Sequence, residues 1–367
     1  MKSEQFESRI DELREEFLER GLDSFLVLNV ESSDAANLRY LTGFPCSLGA
    51  LVITENKTTF LTDSRYLEAA QTQAHYSEIQ KLGQDPLQDL AEILNDRKLN
   101  RIGLNEATTT LKLYNNLESN LEQSELVPLE DPLTELRAVK NSEELELQQQ
   151  AAEMADQAFD HLLETVQLGM TEKELALELE FFIRTRGADD VAFDPTVASG
   201  PNSALPHATP SDKQLREGEL LLLDIGARYQ GYCSDLTRTV CLGEPEELAL
   251  KVYDLVLEAQ RAGLSALEPG VEGSDVDQRA REVISEAGYG EMFGHGLGHG
   301  VGLLVHENPR LSQNSSSVLE PHMVVTVEPG IYIPEWGGVR IEDMVKVTED
   351  GCESFSRAPK EQLINPL

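Results

Sequence analysis

Leu220-Leu221-Leu222-Leu223-Asp224-Ile225-Gly226 opens the stretch that decides the fold, and Ser234-Asp235-Leu236-Thr237-Arg238 closes it. The first segment is an apolar run of strand length that carries a carboxylate near its end. A charge at the edge of a core is costly unless it is paired. Asp235 follows Asp224 by eleven positions, across the Gly-containing connection Tyr229-Gln230-Gly231-Tyr232. The pattern reads as a hairpin whose two strands set two carboxylates side by side. Like charges so placed repel unless a cation lies between them. The pair asks for a metal, and further ligands must come from elsewhere in the chain.

Three other stations supply them. Gly294-His295-Gly296-Leu297-Gly298-His299-Gly300-Val301-Gly302 precedes His306-Glu307. Glycines between histidines let the backbone approach a site closely. Val325-Thr326-Val327-Glu328-Pro329-Gly330 places Glu328 after an apolar run, and Gly338-Val339-Arg340-Ile341-Glu342-Asp343 places Glu342 inside one. Each is expected to project from a strand. Four carboxylates and one imidazole form an oxygen-dominated donor set. It suits Mn²⁺, Co²⁺, Fe²⁺ or Zn²⁺, and two of the carboxylates could bridge a metal pair.

Around these stations the chain reads as two domains, 1–135 and 136–367. Phe6, Ile10, Leu13 and Phe17 recur at helical spacing and Gly21 closes that helix. A strand over 24–30 follows, then a hairpin of 50–54 and 58–62 turned by Glu55-Asn56-Lys57. Helices are expected over 64–74, 86–97 and 109–121, with a short strand at 102–104. This alternation predicts a small α/β domain. Asp131-Pro132-Leu133 punctuates the chain. Asn141 or Ser142 then caps a long amphipathic helix. A second helix starts near Thr171, with Glu172 and Glu174 at its positive end. Strands are expected over 194–199, 219–225, 232–241, 323–333 and 338–347, and helices over 245–263 and 273–287. The second domain is therefore α+β, with helices on one face.

The order Asp224, Asp235, His299, Glu328, Glu342, with spacings of 11, 64, 29 and 14, resembles the pita-bread metallopeptidases. That family includes methionine aminopeptidase, Xaa-Pro aminopeptidase and prolidase. The spacings are most similar to those of compact prokaryotic prolidases and their aminopeptidase relatives, and the resemblance covers essentially the whole chain. Residues 1–135 resemble the creatinase-type N-terminal domain that Xaa-Pro peptidases carry and methionine aminopeptidases generally lack. The resemblance implies an α+β pita-bread catalytic domain preceded by a smaller α/β domain. It implies a dinuclear metal-dependent hydrolase that cuts between an N-terminal residue and proline in short peptides, as a dipeptidase or an aminopeptidase. A metal-free creatinase-like amidinohydrolase and a non-enzymatic binding protein on the same fold are the alternatives. Both kinds of relative have lost ligands, and this chain keeps all five.

By motif, the resemblance implies that Asp224 chelates one metal, that His299 and Glu328 hold the other, and that Asp235 and Glu342 bridge both. Mn²⁺ or Co²⁺ is the expected ion, with Zn²⁺ or Fe²⁺ as alternatives. His299 is preferred to His295 because the family's ligand stands seven positions before the histidine of the His306-Glu307 pair. His207 and His306 match substrate-side histidines. His295 is a third such candidate, whose alternative is a structural role in a Gly-rich turn. Glu328 is also the expected proton shuttle, and Arg340 is expected to orient carboxylates. Tyr332 matches a position near the metals and is a substrate-binding candidate. Arg310 either meets a substrate's C-terminal carboxylate through paired hydrogen bonds or forms a structural salt bridge. Arg39 and Tyr40 either reach a partner's active site, in the homodimer the resemblance implies, or serve as a salt bridge and as core packing. His75, His161 and His322 lie outside every motif and read as surface or packing residues.

Asp and Glu outnumber Lys and Arg 66 to 30, for a net charge of −36. A phosphate backbone would be repelled by most of such a surface, which excludes nucleic acid as a partner. The absence of an apolar run of about 18 residues and the polar start Met1-Lys2-Ser3-Glu4-Gln5 predict neither a membrane span nor a secretory signal. Cys46, Cys233, Cys241 and Cys352 form no CxxC and are expected to be reduced thiols of a cytoplasmic protein. Self-repulsion strains a fold of this charge, and salt screens it. The protein either serves a high-salt cytoplasm or is an acidic enzyme of ordinary habitat. In the first case its melting temperature rises with molar KCl in a thermal scan, and a flat or falling profile rules that reading out.

Overall fold

A computed structural model of the protein describes residues 3–74 and 78–367, so the reading of His75 lies outside the described residues. The chain forms two units, Met1–Arg137 and Ala138–Leu367. In the first, α1 (Ser3–Glu19) buries the apolar stripe of Phe6, Ile10, Leu13 and Phe17. It is followed by β1 (Ser24–Val30), α2 (Ala35–Thr42), β2 (Leu48–Thr54), β3 (Thr58–Thr62), α3 (Leu67–Gln73), β4 (Glu78–Lys81), α4 (Pro86–Asp96), β5 (Arg101–Asn105), α5 (Leu111–Asn120), β6 (Glu125–Leu129) and α6 (Leu133–Ala138). The strands form one sheet in the order β4-β3-β2-β1-β5-β6. β1, β2 and β3 pair antiparallel, so the turn at 55–57 is a hairpin. β3–β4 and β5–β6 are parallel, with α3 and α5 as their crossovers. β4 and β6 are not among the expected strands: β4 has no apolar run, and the apolar residues of β6, Leu126, Val127 and Leu129, are interrupted by Pro128, which a strand tolerates at a sheet edge.

The second unit begins with α7 (Ser142–Thr165). Asn141 accepts a hydrogen bond from the Glu144 N–H and Glu144 accepts one from the Asn141 N–H, so Asn141 rather than Ser142 is the cap. α8 (Glu172–Thr185) opens with the same device on Thr171 and Glu174. Then come β7 (Asp190–Val191), β8 (Thr196–Ser199), β9 (Leu220–Ile225), β10 (Ala227–Tyr229), β11 (Tyr232–Cys233), β12 (Leu236–Cys241), α9 (Glu247–Ser265), α10 (Gly273–Glu286), β13 (Gly298–Gly300), β14 (Glu307–Leu311), β15 (Val324–Val327), β16 (Gly330–Ile333), β17 (Gly337–Arg340), β18 (Asp343–Thr348) and β19 (Gly351–Ser354). α7 and α8 lay Phe159, Leu162 and Leu179 against Leu221, Leu223 and Val240 of β9 and β12. α9 and α10 lay Val252, Val256 and Ala280 against Val325, Val327, Ile331 and Val339.

Three runs expected as single strands are each two. The runs 232–241, 323–333 and 338–347 break at Ser234-Asp235, Glu328-Pro329 and Ile341-Glu342, and the halves enter different sheets. The expected Asp224–Asp235 hairpin is corrected in the same way. β9 pairs with β12, placing Asp224 opposite Thr237. The intervening β10–β11 turn leaves that sheet and pairs with β7. The turn is a tight one, with Gln230 and Gly231 at φ 44° and 85°. Gly226 permits the departure, since a Cβ there would lie 2.2 Å from the Ser234 carbonyl oxygen. All four cysteines are free. Among the described residues no helix is long and apolar enough to cross a membrane.

One buried acid in the first unit has a measurable consequence. Asp34 stands ahead of α2 without capping it through its side chain. Burial, and then the charge of Asp131, push its carboxyl up to about 7 from an ordinary 3.8. As pH rises from 3.8 to 7 the unfolded chain releases this proton while the folded chain holds it. Stability from this group therefore falls with rising pH across that window and is level above it. Each tenfold difference in proton affinity between the two states is worth about 1.4 kcal/mol, so the loss is on the order of a few kcal/mol. Asp34→Asn removes the loss. Its melting temperature should match wild type near pH 4 and exceed it near pH 8, and a difference that does not widen over that range contradicts the account.

Candidate metal centre

The breaks in the strands are where the acidic residues meet. Asp224 comes from β9, Asp235 from the β11–β12 break, Glu328 from the β15–β16 break and Glu342 from the β17–β18 break. His299 sits at the middle of β13. One carboxylate oxygen from each of Asp224, Asp235 and Glu342 lies within 4.8 Å of the others. His299 Nε2 is 3.2 Å from Glu328 Oε1 and 3.7 Å from Asp235 Oδ2. The five side chains thus form two groups that meet at Asp235. The glycine beside His299 serves strand packing rather than the approach of backbone to a ligand. A Cβ at Gly298 would stand 2.0 Å from the Thr326 carbonyl oxygen of β15.

The donor set fits divalent metal on two observations. Asp224 Oδ1 and Glu342 Oε1 are buried and have no hydrogen-bond partner. The remaining oxygens are taken: Arg340 Nη2 donates to Asp224 Oδ2 (2.6 Å), and Thr237 Oγ1 donates to Glu342 Oε2 (2.6 Å). Each acid therefore keeps one oxygen directed inward. The second observation is the histidine. His299 Nδ1 can only donate to the Gly300 carbonyl (3.1 Å), which turns the other ring nitrogen toward two carboxylates. That nitrogen meets the acids either through a proton it carries or through a metal ion that takes its lone pair and answers their charge.

Electrostatics point the same way. Burial, then the charges of Glu342 and Asp224, push Asp235 well above the usual carboxylate range. Burial, then Glu328 and Asp224, do the same to Glu342. Asp224 is raised by burial in spite of Arg340. Burial alone would raise Glu328 too, but its hydrogen bond with His299 and the charges of His299 and Arg340 outweigh it and hold Glu328 at about 2. Without metal the cluster stores repulsion and relieves it by holding protons.

Two threonines that the sequence pattern does not single out orient this centre. Thr237 accepts from Arg340 Nε (3.0 Å) while donating to Glu342. Thr326 accepts from the His299 N–H (3.1 Å) and donates to Glu328 Oε1 (2.9 Å). Each lies two positions from a ligand candidate in an extended run, Thr237 from Asp235 and Thr326 from Glu328. That spacing places both on one face and was the available signal. Arg238 lies beneath: it donates to the Glu342 carbonyl and to Asp343 Oδ1 (2.8 Å), and the pair is fully buried.

A cavity of about 550 Å³ opens above the cluster and is lined by His207, His295, His306 and Arg310, with Asp224, Asp235, His299, Glu328 and Arg340 at its base. The ring of His306 meets that of His299 edge-on at 4.3 Å. Burial, then His299 and Arg310, lower the His306 pKa, and burial lowers that of His295. Arg310 stands opposite His299 in the β13–β14 ladder, which brings both side chains to one face. It makes no ion pair among the described residues, so the salt-bridge alternative is not realised. Tyr332 is not among the residues that line the cavity. Its hydroxyl is held behind the wall, accepting from Arg340 Nη1 (2.9 Å) and facing His295 Nε2 (3.0 Å). His295 is fixed at both nitrogens, since Nδ1 donates to the Gly296 carbonyl (2.8 Å). Arg39 belongs to α2 of the first unit. Tyr40 is core packing, with its ring under the Arg9 guanidinium at 3.9 Å and its hydroxyl donating to the Leu136 carbonyl (2.9 Å). His161 stacks on Phe182 and pairs with Glu178.

A carboxylate-rich centre at the strand breaks of a mixed helix-and-strand unit, preceded by a separate sheet domain, defines a two-domain pita-bread metallohydrolase. Residues 146–349 match metallopeptidase family M24 and residues 9–139 match the Creatinase/Prolidase N-terminal domain. The chain belongs to metallopeptidase family M24. It is 43% identical to the uncharacterized peptidase YqhT of Bacillus subtilis over 97% of this chain and 99% of that one. A solved Xaa-Pro dipeptidase from Bacillus anthracis superposes with a TM-score of 0.93 at 41% identity, covering 98% of this chain and 99% of its own. An X-Pro aminopeptidase from Thermotoga maritima does so with a TM-score of 0.89 at 40% identity, covering 96% and 99%.

Adding Mn²⁺ or Co²⁺ to chelator-treated protein should raise its melting temperature in a concentration-dependent way, by several degrees near saturation. Binding at about 100 times Kd is worth about 2.7 kcal/mol. Asp235→Asn should abolish that response and, by relieving repulsion, leave the chelated protein at least as stable as chelated wild type. A full metal response in this variant would remove Asp235 from the centre.

Proposed function

We propose that this enzyme is a dinuclear metallo-exopeptidase that hydrolyses the bond between an N-terminal residue and proline. One observation carries the reading: buried acids with inward, unpartnered oxygens adjoin His299 at the base of a cavity that also presents His207, His306 and Arg310. Asp224 would hold one metal, His299 and Glu328 would hold a second, and Asp235 and Glu342 would be shared between them. Mn²⁺ or Co²⁺ is the proposed ion. Such ions supply Lewis acidity and lower the pKa of a water toward neutrality.

The chain's own residues do the rest. His207 and His306 donate hydrogen bonds to the oxygen of the scissile carbonyl as it gains charge. Glu328, held by Thr326 beside His299, accepts the proton of the attacking water and passes it to the proline nitrogen as that bond breaks. Arg340 and Thr237 hold Asp224 and Glu342 in place throughout. Retention of all five ligand positions does not support a metal-free amidinohydrolase or a pure binding protein. We place the enzyme in the cytoplasm as a homodimer, in keeping with its free cysteines and its family. Residues 1–135 are its creatinase-like domain, through which Arg39 reaches a partner's site, and residues 136–367 are its catalytic domain.

The named relatives divide between dipeptidase and aminopeptidase, and Arg310 favours the former. A guanidinium on the cavity wall suits the C-terminal carboxylate of a dipeptide. The test is hydrolysis of Xaa-Pro and of Xaa-Pro-Xaa-Xaa with added Mn²⁺ or Co²⁺. Turnover of Xaa-Pro is expected to dominate. Arg310→Met should raise KM for Xaa-Pro by about 10- to 100-fold, the worth of a charge-assisted hydrogen bond, and change the longer substrate little. Turnover of neither substrate sinks the assignment, and equal loss on both removes the clamp.

A further inference from the structure

Glu172 is the first residue of α8, and its side chain is fully buried. Its carboxylate turns away from the helix and into the segment 199–211, between β8 and β9. Oε1 accepts from the Ser199 N–H (2.7 Å), Ser199 Oγ (2.8 Å) and Asn202 Nδ2 (3.1 Å). Oε2 accepts from Asn202 Nδ2 (3.1 Å), the Ser211 N–H (3.1 Å) and Ser211 Oγ (2.6 Å). Lys213 fixes the sense of both hydroxyls. Its Nζ donates to Ser199 Oγ (2.7 Å) and its N–H to Ser211 Oγ (3.2 Å), so each serine hydrogen is directed at Glu172. Every partner of this carboxylate is a donor.

His207 lies between the anchors Asn202 and Ser211. Its side chain is exposed into the cavity and its ring makes no hydrogen bond among the described residues. The placement of the ring therefore depends on the backbone that carries it. That backbone is gripped from the other side as well. Arg340 Nη1 donates to the Pro206 carbonyl (3.3 Å) and the Gly338 N–H donates to Ser203 Oγ (2.8 Å). Between the Glu172 cage and these contacts the segment has little freedom.

We propose that Glu172 is a positioning residue for His207, an inference that rests on the substrate-side role given to His207 above. The cage needs a charged acceptor on both oxygens. A glutamine of the same size would aim an NH₂ group at donors on one side and leave them facing each other. The segment then shifts, and His207 no longer meets the developing charge.

Four proteins decide it: wild type, Glu172→Gln, His207→Ala and the double variant, each loaded with Mn²⁺ and assayed on Xaa-Pro. Glu172→Gln should lower kcat by roughly 10- to 100-fold, the scale of an ångström-level misplacement. In the His207→Ala background the same change should cost less than about twofold, because the two act as a unit. Equal losses in both backgrounds overturn the proposal. A second readout does not depend on turnover. In histidine-labelled protein, the ring signal that disappears in His207→Ala should move in Glu172→Gln, and an unmoved signal overturns the proposal. If wild type fails to cleave Xaa-Pro, the functional reading fails alone and the ring signal still decides the positioning. If Glu172→Gln does not fold, Ser211→Ala, which removes one donor from Oε2, carries both comparisons.

Discussion

Burial of several carboxylates in one place is the constraint on which the rest of the structure depends. Asp224, Asp235 and Glu342 bring oxygens within 4.8 Å of one another, with Glu328 and His299 alongside. Unscreened charges at such distances and in such burial repel strongly. A fold can hold them charged only if hydrogen bonds fasten them and a cation answers their charge. The structure shows such fastening for three of the four acids. Arg340 fastens Asp224, Thr237 fastens Glu342, and Thr326 fastens Glu328.

The same constraint explains why the strands break where they do. A continuous strand would alternate its side chains and spread neighbouring acids over two faces. Breaking β11 from β12, β15 from β16 and β17 from β18 turns the chain at the acid and lets it converge on one point. The freed backbone is paired elsewhere: the Glu342 N–H donates to the Thr237 carbonyl, and the Glu342 carbonyl accepts from Arg238. Arg238 is itself neutralised by Asp343, which also receives Gln260 and Lys360. Charge thus alternates outward from the centre through Arg238, Asp343 and Lys360.

These facts also set what could be read from the residues alone. Asp224, Glu328 and Glu342 were legible because an acid at the end of an apolar run, or inside one, breaks a hydrophobic pattern; Asp235 followed from its spacing to Asp224, and His299 from the family resemblance. The helix starts were legible because Asn141 or Ser142 could cap the first and because Glu172 and Glu174 stand at the positive end of the second; the structure completes each as a capping box. The breaks were not, since Val-Thr-Val-Glu-Pro and Val-Arg-Ile-Glu read as strand whether or not the chain turns at the glutamate. β4 lacked an apolar run, and Pro128 obscured that of β6; both are edge strands. Glu172 was seen only as an acid complementing a helix dipole. Its six acceptor contacts come from residues 27 to 39 positions away, and no local pattern encodes them.

Arg310 stands apart from this alternation of charge. In a chain where acids outnumber bases 66 to 30, a guanidinium would ordinarily find a carboxylate. Arg340, Arg238 and Arg281 each do so in this unit. Arg310 is instead held by the β13–β14 ladder on the face of His299 and lines the cavity. Its charge depresses the His306 pKa rather than stabilising a protein carboxylate. Metal-side groups are tied by hydrogen bonds to the fold, whereas Arg310 and His207 are tied only through backbone. A site so divided suits the function proposed above, in which the fastened groups would hold metal and the remaining polar capacity would meet an anion that arrives with the substrate.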